Sequence, residues 1–262
     1  MDLGLKDKVA VVCGGSTGIG AAAAAGFAAE GCHVAVCGRS EEKLDAFRMD
    51  MRSRGFQDVM VEAVDAMKAA EVRAFADRVV KKFGRIDIWI NCAGGNRHGP
   101  VDTLSEEDYR YILDLNLSTA FFGVQAAAFY MKQQKGGVII NVSSLSSLTP
   151  VTYRVMYGAA KAGVNVMTKG AAAELAPFGI RVNAVAPGVT DTVLMAKAIY
   201  ENTAYTMSKI PVHRAGKPEE IGDLIVCLSS ARLGYVTGSI FTAHGGQGIV
   251  EDTETAWTSP WN

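Results

Sequence analysis

Tyr157 and Lys161 stand four residues apart in Y-G-A-A-K, and Ser144 precedes Tyr157 by thirteen residues. On a helix, residues i and i+4 share one face, so this spacing predicts a phenol and an ammonium side by side. A free tyrosine titrates near ~10, too high to exchange protons readily at neutral pH. A neighbouring cation favours the phenolate and lowers that value. A serine hydroxyl at the same point would hydrogen-bond a substrate oxygen as its charge changes. These residue types suit proton transfer at a carbonyl or alcohol oxygen. Alone the pair is weak, because tyrosine and lysine often share a helix face for no chemical reason.

The spacing acquires meaning from the elements that would hold it. Short apolar, β-branched runs cover Lys8–Cys13, His33–Cys37, Val59–Val64, Ile86–Asn91, Val138–Val142, Arg181–Val185 and Ser239–Thr242. Helical patterns lie between them at Gly18–Glu30, Glu41–Arg54, Ala69–Phe83, Glu106–Gln133, Thr152–Ala176 and Pro218–Ser229. Ser105 followed by Asp108 reads as an N-cap with a carboxylate in the first turn, and Pro218 suits a first helical position. Continuous apolar strands separated by helices predict a parallel sheet covered on both faces. The 262 residues are expected to form a single doubly wound α/β domain with a seven-stranded, mainly parallel sheet. No linker, repeat or low-complexity segment divides them. Two stretches lack periodicity: an insert at Asp191–Arg214 and a tail at 247–262 carrying Trp257 and Trp261.

Composition narrows the classes. Apolar residues make up 49%, charged residues 20%, and the formal net charge is -1, with no Lys/Arg run. A nucleic-acid or acidic-membrane partner is not expected. Met1 to Lys8 hold no apolar signal core, and no uninterrupted apolar run approaches ~18 residues, so the expectation is a cytoplasmic protein. The five cysteines form no C-x-x-C pair, and their odd number argues against a disulfide framework. The four histidines show no metal-ligand spacing.

Directly after the first strand, Gly14, Gly18 and Gly20 punctuate G-G-S-T-G-I-G as the first helix opens. Glycines there permit a tight turn and let backbone N–H groups approach a pyrophosphate at the positive helix end. The spacing is G-x-x-x-G-x-G rather than G-x-G-x-x-G, so position between strand and helix carries the nucleotide reading. About twenty residues on, the second strand ends in Gly38-Arg39-Ser40. An acid there would bond a ribose 2′-hydroxyl, whereas an arginine suits a 2′-phosphate. Arg39 therefore favours NADP(H) over NAD(H).

These pieces together resemble the short-chain dehydrogenase/reductase family from about Lys8 to Gly246. The motifs are G-G-S-T-G-I-G at Gly14–Gly20, N-C-A-G at Asn91–Gly94, Asn116 in L-N-L-S, N-V-S-S ending at Ser144, Y-G-A-A-K, and P-G-V-T-D-T at Pro187–Thr192. The resemblance implies a Rossmann-type fold and makes Asn116, Ser144, Tyr157 and Lys161 catalytic. Tyr157 would be the acid/base, Lys161 would lower its pKa and hold the nicotinamide ribose, Ser144 would bind the carbonyl oxygen, and Asn116 would hold a relay water. A tyrosine shift of ~3 units corresponds to ~4 kcal/mol. The cofactor set implied is Gly14, Ser16, Thr17, Gly18, Ile19, Gly20, Arg39, Ser40, Asp65, Ala66, Asn91, Ala93, Gly94, Tyr157, Lys161, Pro187, Gly188, Val189 and Thr192. Gly95, Ser144, Leu145, Tyr153, Tyr157 and Leu194 would meet the substrate.

The chain departs from the family pattern at Cys13, Cys92, Gly95 and His244, which touch packing more than chemistry. The activity implied is NADP(H)-dependent interconversion of a ketone and a secondary alcohol, with a hydrophobic or cyclic substrate under a lid at 191–214. A 3-oxoacyl-carrier-protein reductase is the alternative, for which Arg97, Arg154 and Lys197 offer some basic surface. A catalytically silent nucleotide-binding regulatory subunit is the non-enzyme alternative. The family also implies a homotetramer through the helices at Glu106–Gln133 and Thr152–Ala176.

Overall fold

In the computed structural model, the described residues are 2–192, 203–250, Thr253 and Trp257. Seven strands form one sheet: β1 (Val9–Cys13), β2 (His33–Gly38), β3 (Met60–Ala63), β4 (Ile88–Asn91), β5 (Gly137–Val142), β6 (Ile180–Pro187) and β7 (Ile240–Ala243). Their spatial order is β3-β2-β1-β4-β5-β6-β7. Each neighbouring pair is parallel, with Cys13 level with both Cys37 and Asn91, and Asn91 level with Asn141. The chain reverses direction across the sheet between β1 and β4, where such sheets open a crevice beyond the strand ends.

Alternation along β1 sorts its side chains. Ala10 and Val12 enter a core cluster with α1 (Gly18–Ala29), α2 (Glu41–Ser53) and α8 (Pro218–Ser229). Val9, Val11 and Cys13 enter the opposite cluster with α3 (Ala69–Phe83), α5 (Thr119–Gln134) and α6 (Val155–Leu175). Ser40 caps α2, accepting from Lys43 N–H at 3.3 Å, and Ser105 caps α4 (Glu106–Leu113), accepting from Asp108 N–H at 3.1 Å. A short helix in the insert, α7 (Thr203–Ser208), was not expected from its weak periodicity. The insert is pinned at both ends where Asp191 N–H donates to Gly216 O at 2.8 Å.

The long helix expected over Glu106–Gln133 is interrupted. Asp114–Ser118 forms a π turn between α4 and α5. Asn116 causes the local exchange of partners: its Nδ2 donates to Ile112 O at 2.9 Å, and Thr119 Oγ1 donates to Leu115 O at 2.8 Å. Polar side chains that bond backbone carbonyls compete with the regular ladder. The whole run Glu106–Gln134 has 29 residues and an 18-residue window of mean hydropathy 1.3, long and apolar enough to cross a membrane. Here half of that window is buried within the fold.

A buried polar chain ties helices to sheet. Trp89 Nε1 donates to Asn91 Oδ1 at 2.8 Å, Asn91 Nδ2 to Asn141 Oδ1 at 2.8 Å, and Asn141 Nδ2 to Thr168 Oγ1 at 2.9 Å. Gly123 of α5 lies against this chain, and a Cβ there would sit 1.8 Å from Asn91 Oδ1. Gly123→Ala should therefore cost about 2 kcal/mol or more by overpacking and broken bonds. Gly170→Ala at an exposed position of α6, where a Cβ would meet nothing within 4 Å, should gain about 0.5–1 kcal/mol. Urea denaturation of both variants checks the contrast.

Candidate active site

A cavity of about 680 Å³ lies beyond the C-terminal ends of the strands. At one end it is walled by Gly14, Ser16, Thr17, Gly18 and Ile19. Gly14 holds a left-handed φ of 81°, and a Cβ on it would stand 2.5 Å from Ala93 N, so only glycine fits this turn. Gly20 does not line the cavity; its Cβ position would lie 2.2 Å from Gly14 O, so it packs the inside of the loop. The first turn of α1 carries no acidic residue, and Thr17 makes no side-chain cap. No acidic or capping side chain of its own helix meets its first-turn N–H groups at the cavity end, which suits a bound anion. With a cradle that no Cβ could enter, these residues fit the pyrophosphate of a dinucleotide.

Arg39, Ser40, Lys43, Asp65 and Ala66 form the outer end of the same cavity. Asp65 is held by its neighbours: its carboxylate accepts from Met67 N–H at 3.1 Å, and its own N–H donates to Glu71 at 2.8 Å. Arg39 is exposed, with Nη2 3.5 Å from the Tyr111 hydroxyl. No carboxylate stands at the end of β2.

The other end gathers Ala93, Gly94, Gly95, Ser144, Leu145, Tyr157, Lys161, Pro187, Gly188, Val189 and Thr192. Ser144 precedes a 3₁₀ turn, Leu145–Ser147, and its Oγ accepts from Ser146 N–H at 3.1 Å. Gly158 brings α6 against this turn, where a Cβ would lie 2.8 Å from Ser146 O. Ser143 also borders the cavity, but its Oγ is engaged, donating to Lys161 O at 3.2 Å. Lys161 is 4% exposed, and its Nζ donates to Val142 O at 2.8 Å. Burial lowers its pKa to about 8.

The electrostatics differ from the sequence expectation. Lys161 was expected to lower the Tyr157 pKa, yet burial raises the phenol above its ordinary value. The groups drawing it back are the Ser144 hydroxyl and the Arg154 charge. Lys161 lies 5.9 Å from the phenol ring centre and is itself short of solvation, so it does not carry that work here.

Asn116 is fully buried, and its amide is already engaged. Nδ2 donates to Gly95 O at 2.7 Å and to Ile112 O, while Oδ1 accepts from Gly95 N–H at 3.2 Å. Rather than offering a free amide to a water, Asn116 fixes the loop that follows β4. A Cβ on Gly94 would lie 3.1 Å from Asn116 Oδ1 and 3.3 Å from Lys161 Nζ, so both groups flank the same backbone.

Two further expected site residues fall elsewhere. Asn91 is buried in the polar chain behind β4 and does not line the cavity. Tyr153 is 63% exposed with a left-handed φ of 60°, its carbonyl accepting from Gly99 N–H at 3.1 Å. That backbone turn sends its ring to a smaller neighbouring cavity of about 290 Å³ and delays the start of α6 to Val155. Leu194 lies outside the described residues, as does 193–202 of the expected lid. Asn96, Arg154 and Lys209, the last within the expected lid, also line the cavity, as do Gln247, Val250 and Thr253 of the tail. Arg154 was legible as the residue three before Tyr157; the tail positions had no local signal. Trp257 stacks on His213 at 4.4 Å and donates to Pro211 O at 2.7 Å, placing that part of the tail against the insert.

A family model described as Enoyl-(Acyl carrier protein) reductase matches residues 14–247. The chain is 37% identical over 243 residues to a 3-oxoacyl-[acyl-carrier-protein] reductase of Thermotoga maritima, covering 92% of this chain and 98% of that one. It is also 37% identical over 243 residues to a 3alpha-hydroxysteroid dehydrogenase of Mediterraneibacter gnavus, covering 92% and 97%. A solved short-chain type dehydrogenase/reductase from Mycobacterium marinum superposes with a TM-score of 0.89 at 34% identity, covering 94% of this chain and 97% of its own.

The depressed Lys161 value makes a stability prediction. Between about pH 8 and about 10.5 the unfolded chain holds a proton on this lysine that the folded chain has lost, so stability rises with pH across that window. Lys161→Met removes this slope. Relative to wild type, the variant should lose roughly 3 kcal/mol of advantage between pH 7 and 10.5. Chemical denaturation at several pH values measures it; parallel curves would contradict the buried ammonium.

Proposed function

The chain belongs to the short-chain dehydrogenase/reductase family, and from that premise we propose an NADP(H)-dependent enzyme that interconverts a ketone and a secondary alcohol on a hydrophobic or cyclic substrate. That it is a nicotinamide-dependent oxidoreductase of CH–OH groups follows from its relatives; the residue roles and the preference for NADP(H) are our reading. The observation that carries the reading is the meeting of Ser144, Tyr157 and Lys161 at one end of a cavity whose other end is the glycine cradle.

A bound nicotinamide supplies or removes the hydride, and the protein supplies orientation and the proton. Ser144 Oγ hydrogen-bonds the carbonyl oxygen of the substrate. Tyr157 Oη gives that oxygen a proton during reduction and takes it back during oxidation. Lys161, anchored at Val142 O, holds the ribose hydroxyls, while Ser144 and Arg154 offset the burial of the phenol. Asn116 keeps the Gly94–Gly95 backbone in place behind both. Arg39 binds the 2′-phosphate at the outer end, beside Ser40 and Lys43.

Leu115, Leu145, Val151 and Val250 give the substrate end an apolar wall, which supports a hydrophobic body. An acidic carrier protein would need a basic rim, but Arg97 is already paired with Asp108 and Glu107. Lys197 lies outside the described residues. The carrier-protein reading stays the alternative, since Arg154 and Lys209 also line this end and the two relatives are equally identical to this chain.

Tyr157→Phe should lower kcat by about 10²- to 10⁴-fold while dinucleotide binding, followed by nicotinamide fluorescence, persists. Unchanged turnover would favour a regulatory role. Arg39→Ala should reduce kcat/KM for NADPH by about 10- to 100-fold and leave NADH much less affected. A wild-type enzyme faster with NADH than with NADPH would overturn the assignment of Arg39.

A further inference from the structure

Among the described residues, the charges around the substrate end are one-sided. Arg154 and Lys209 line it beside Tyr157, whereas the cavity's lone carboxylate among the described lining residues, Asp65, stands at the far adenosine end. Arg154 is half-buried, and among the described residues its guanidinium forms no ion pair and no hydrogen bond. Its neighbours behave differently: Arg97 pairs with Asp108, Arg110 with Glu106 and Arg214 with Glu220. A guanidinium facing a partly dry cavity without a counter-charge is poised for an anion from outside the chain. Asn96, on the same wall, adds a second unmet group, with Oδ1 and Nδ2 both buried and lacking a partner.

Position decides which anion. Arg154 caps the start of α6 three residues before Tyr157, both line the same end of the cavity, and its charge is near enough to act on the phenol. An anion gripped by Arg154 must then be only a few bonds from the carbon whose oxygen meets Tyr157. A carboxylate on a compact molecule satisfies that distance. The phosphates of an acyl thioester, at the far end of a long arm, do not.

We propose that Arg154 binds a substrate carboxylate, which makes the substrate a compact oxo acid and its hydroxy acid rather than a neutral ketone. The proposal rests on the ketone–alcohol reading above and adds the substrate class. The carboxylate is a spectator. In reduction the carbonyl carbon gains the hydride of the reduced nicotinamide, the C=O π bond opens, and the oxygen takes the Tyr157 proton.

The test compares kcat/KM, with NADPH, for 3-oxocyclohexanecarboxylate, its methyl ester and acetoacetyl-CoA, in wild type, Arg154→Gln and Arg154→Lys. Wild type should favour the acid over the ester by about tenfold or more. Arg154→Gln should cut that ratio by about 10- to 100-fold, chiefly through KM, and Arg154→Lys should restore part of it. Taking the ratio within each variant cancels any general loss of activity. A second measurement needs no variant: cyclohexanecarboxylate should inhibit wild type more strongly than cyclohexanecarboxamide. An acid-to-ester ratio near one, a ratio that Arg154→Gln leaves unchanged, a preference for acetoacetyl-CoA or stronger inhibition by the amide would each overturn the carboxylate site while leaving ketone reduction intact. Failure to reduce any of the three ketones with either nicotinamide would instead sink the underlying reading, and the carboxylate site with it.

Discussion

The buried hydrogen-bond chain from Trp89 through Asn91 and Asn141 to Thr168 sets the position of everything chemical in this molecule. Amides this deep must be satisfied, and each has its acceptor or donor in only one alignment of the helix on the sheet. A rotation or slip of α6 by one residue would strand the Asn141 amide. The same helix carries Tyr157 and Lys161 at its other end, so a constraint made far below the cavity fixes the reacting groups within it. Two further contacts brace the upper turns, Ser143 Oγ to Lys161 O and Asn165 Nδ2 to Ser147 Oγ. The chemistry is thus positioned by a polar core, with apolar packing filling the remaining space.

That rigidity lets the site hold ionisable groups where solvent would not favour them. Lys161 sits buried with one carbonyl for company, its pKa drawn down to about 8, and Tyr157 is pushed up by the same loss of water. Both shifts run against charge. A free side chain would relax toward solvent, but the lysine is locked by Val142 and flanked by the Gly94 backbone that Asn116 holds. Folding energy from elsewhere keeps the two poised, as is usual where perturbed groups cluster at a site.

The regular parts of this arrangement were legible because they repeat. Apolar runs and helical periods located the strands and five of the helices to within a few residues, and the glycine turn declared itself by falling between β1 and α1. What escaped depends on contacts distant in sequence. The π turn at Asp114–Ser118 arises because Asn116 reaches a carbonyl and a neighbouring loop, and no periodicity encodes that. Tyr153 was misplaced because a single left-handed residue reverses the direction of its side chain. Asn91 and Gly20 belong to motifs near the cofactor end yet serve packing, since a motif marks a neighbourhood and not the direction of each side chain. The source of the pull on Tyr157 was misjudged for a similar reason: spacing shows that a lysine is near, but not that its own burial weakens it.

The substrate wall illustrates the division most clearly. It is assembled from the loop after β4, the turn after β5, the residue preceding α6, the foot of the insert at Lys209 and the tail at Gln247–Val250. None of these stretches lies within a strand, and each is held at its ends by the framework: Gly95 by Asn116, Asp191 by Gly216, Val189 N–H by Gln247 Oε1 at 3.3 Å. Side chains on such segments can change without disturbing the amide chain under α6. Arg154 sits at the junction, close enough to Tyr157 to alter its acidity and open enough to meet a ligand. A change of residue there would move proton affinity and substrate charge together, coupling specificity to chemistry at one position while the rest of the wall varies freely.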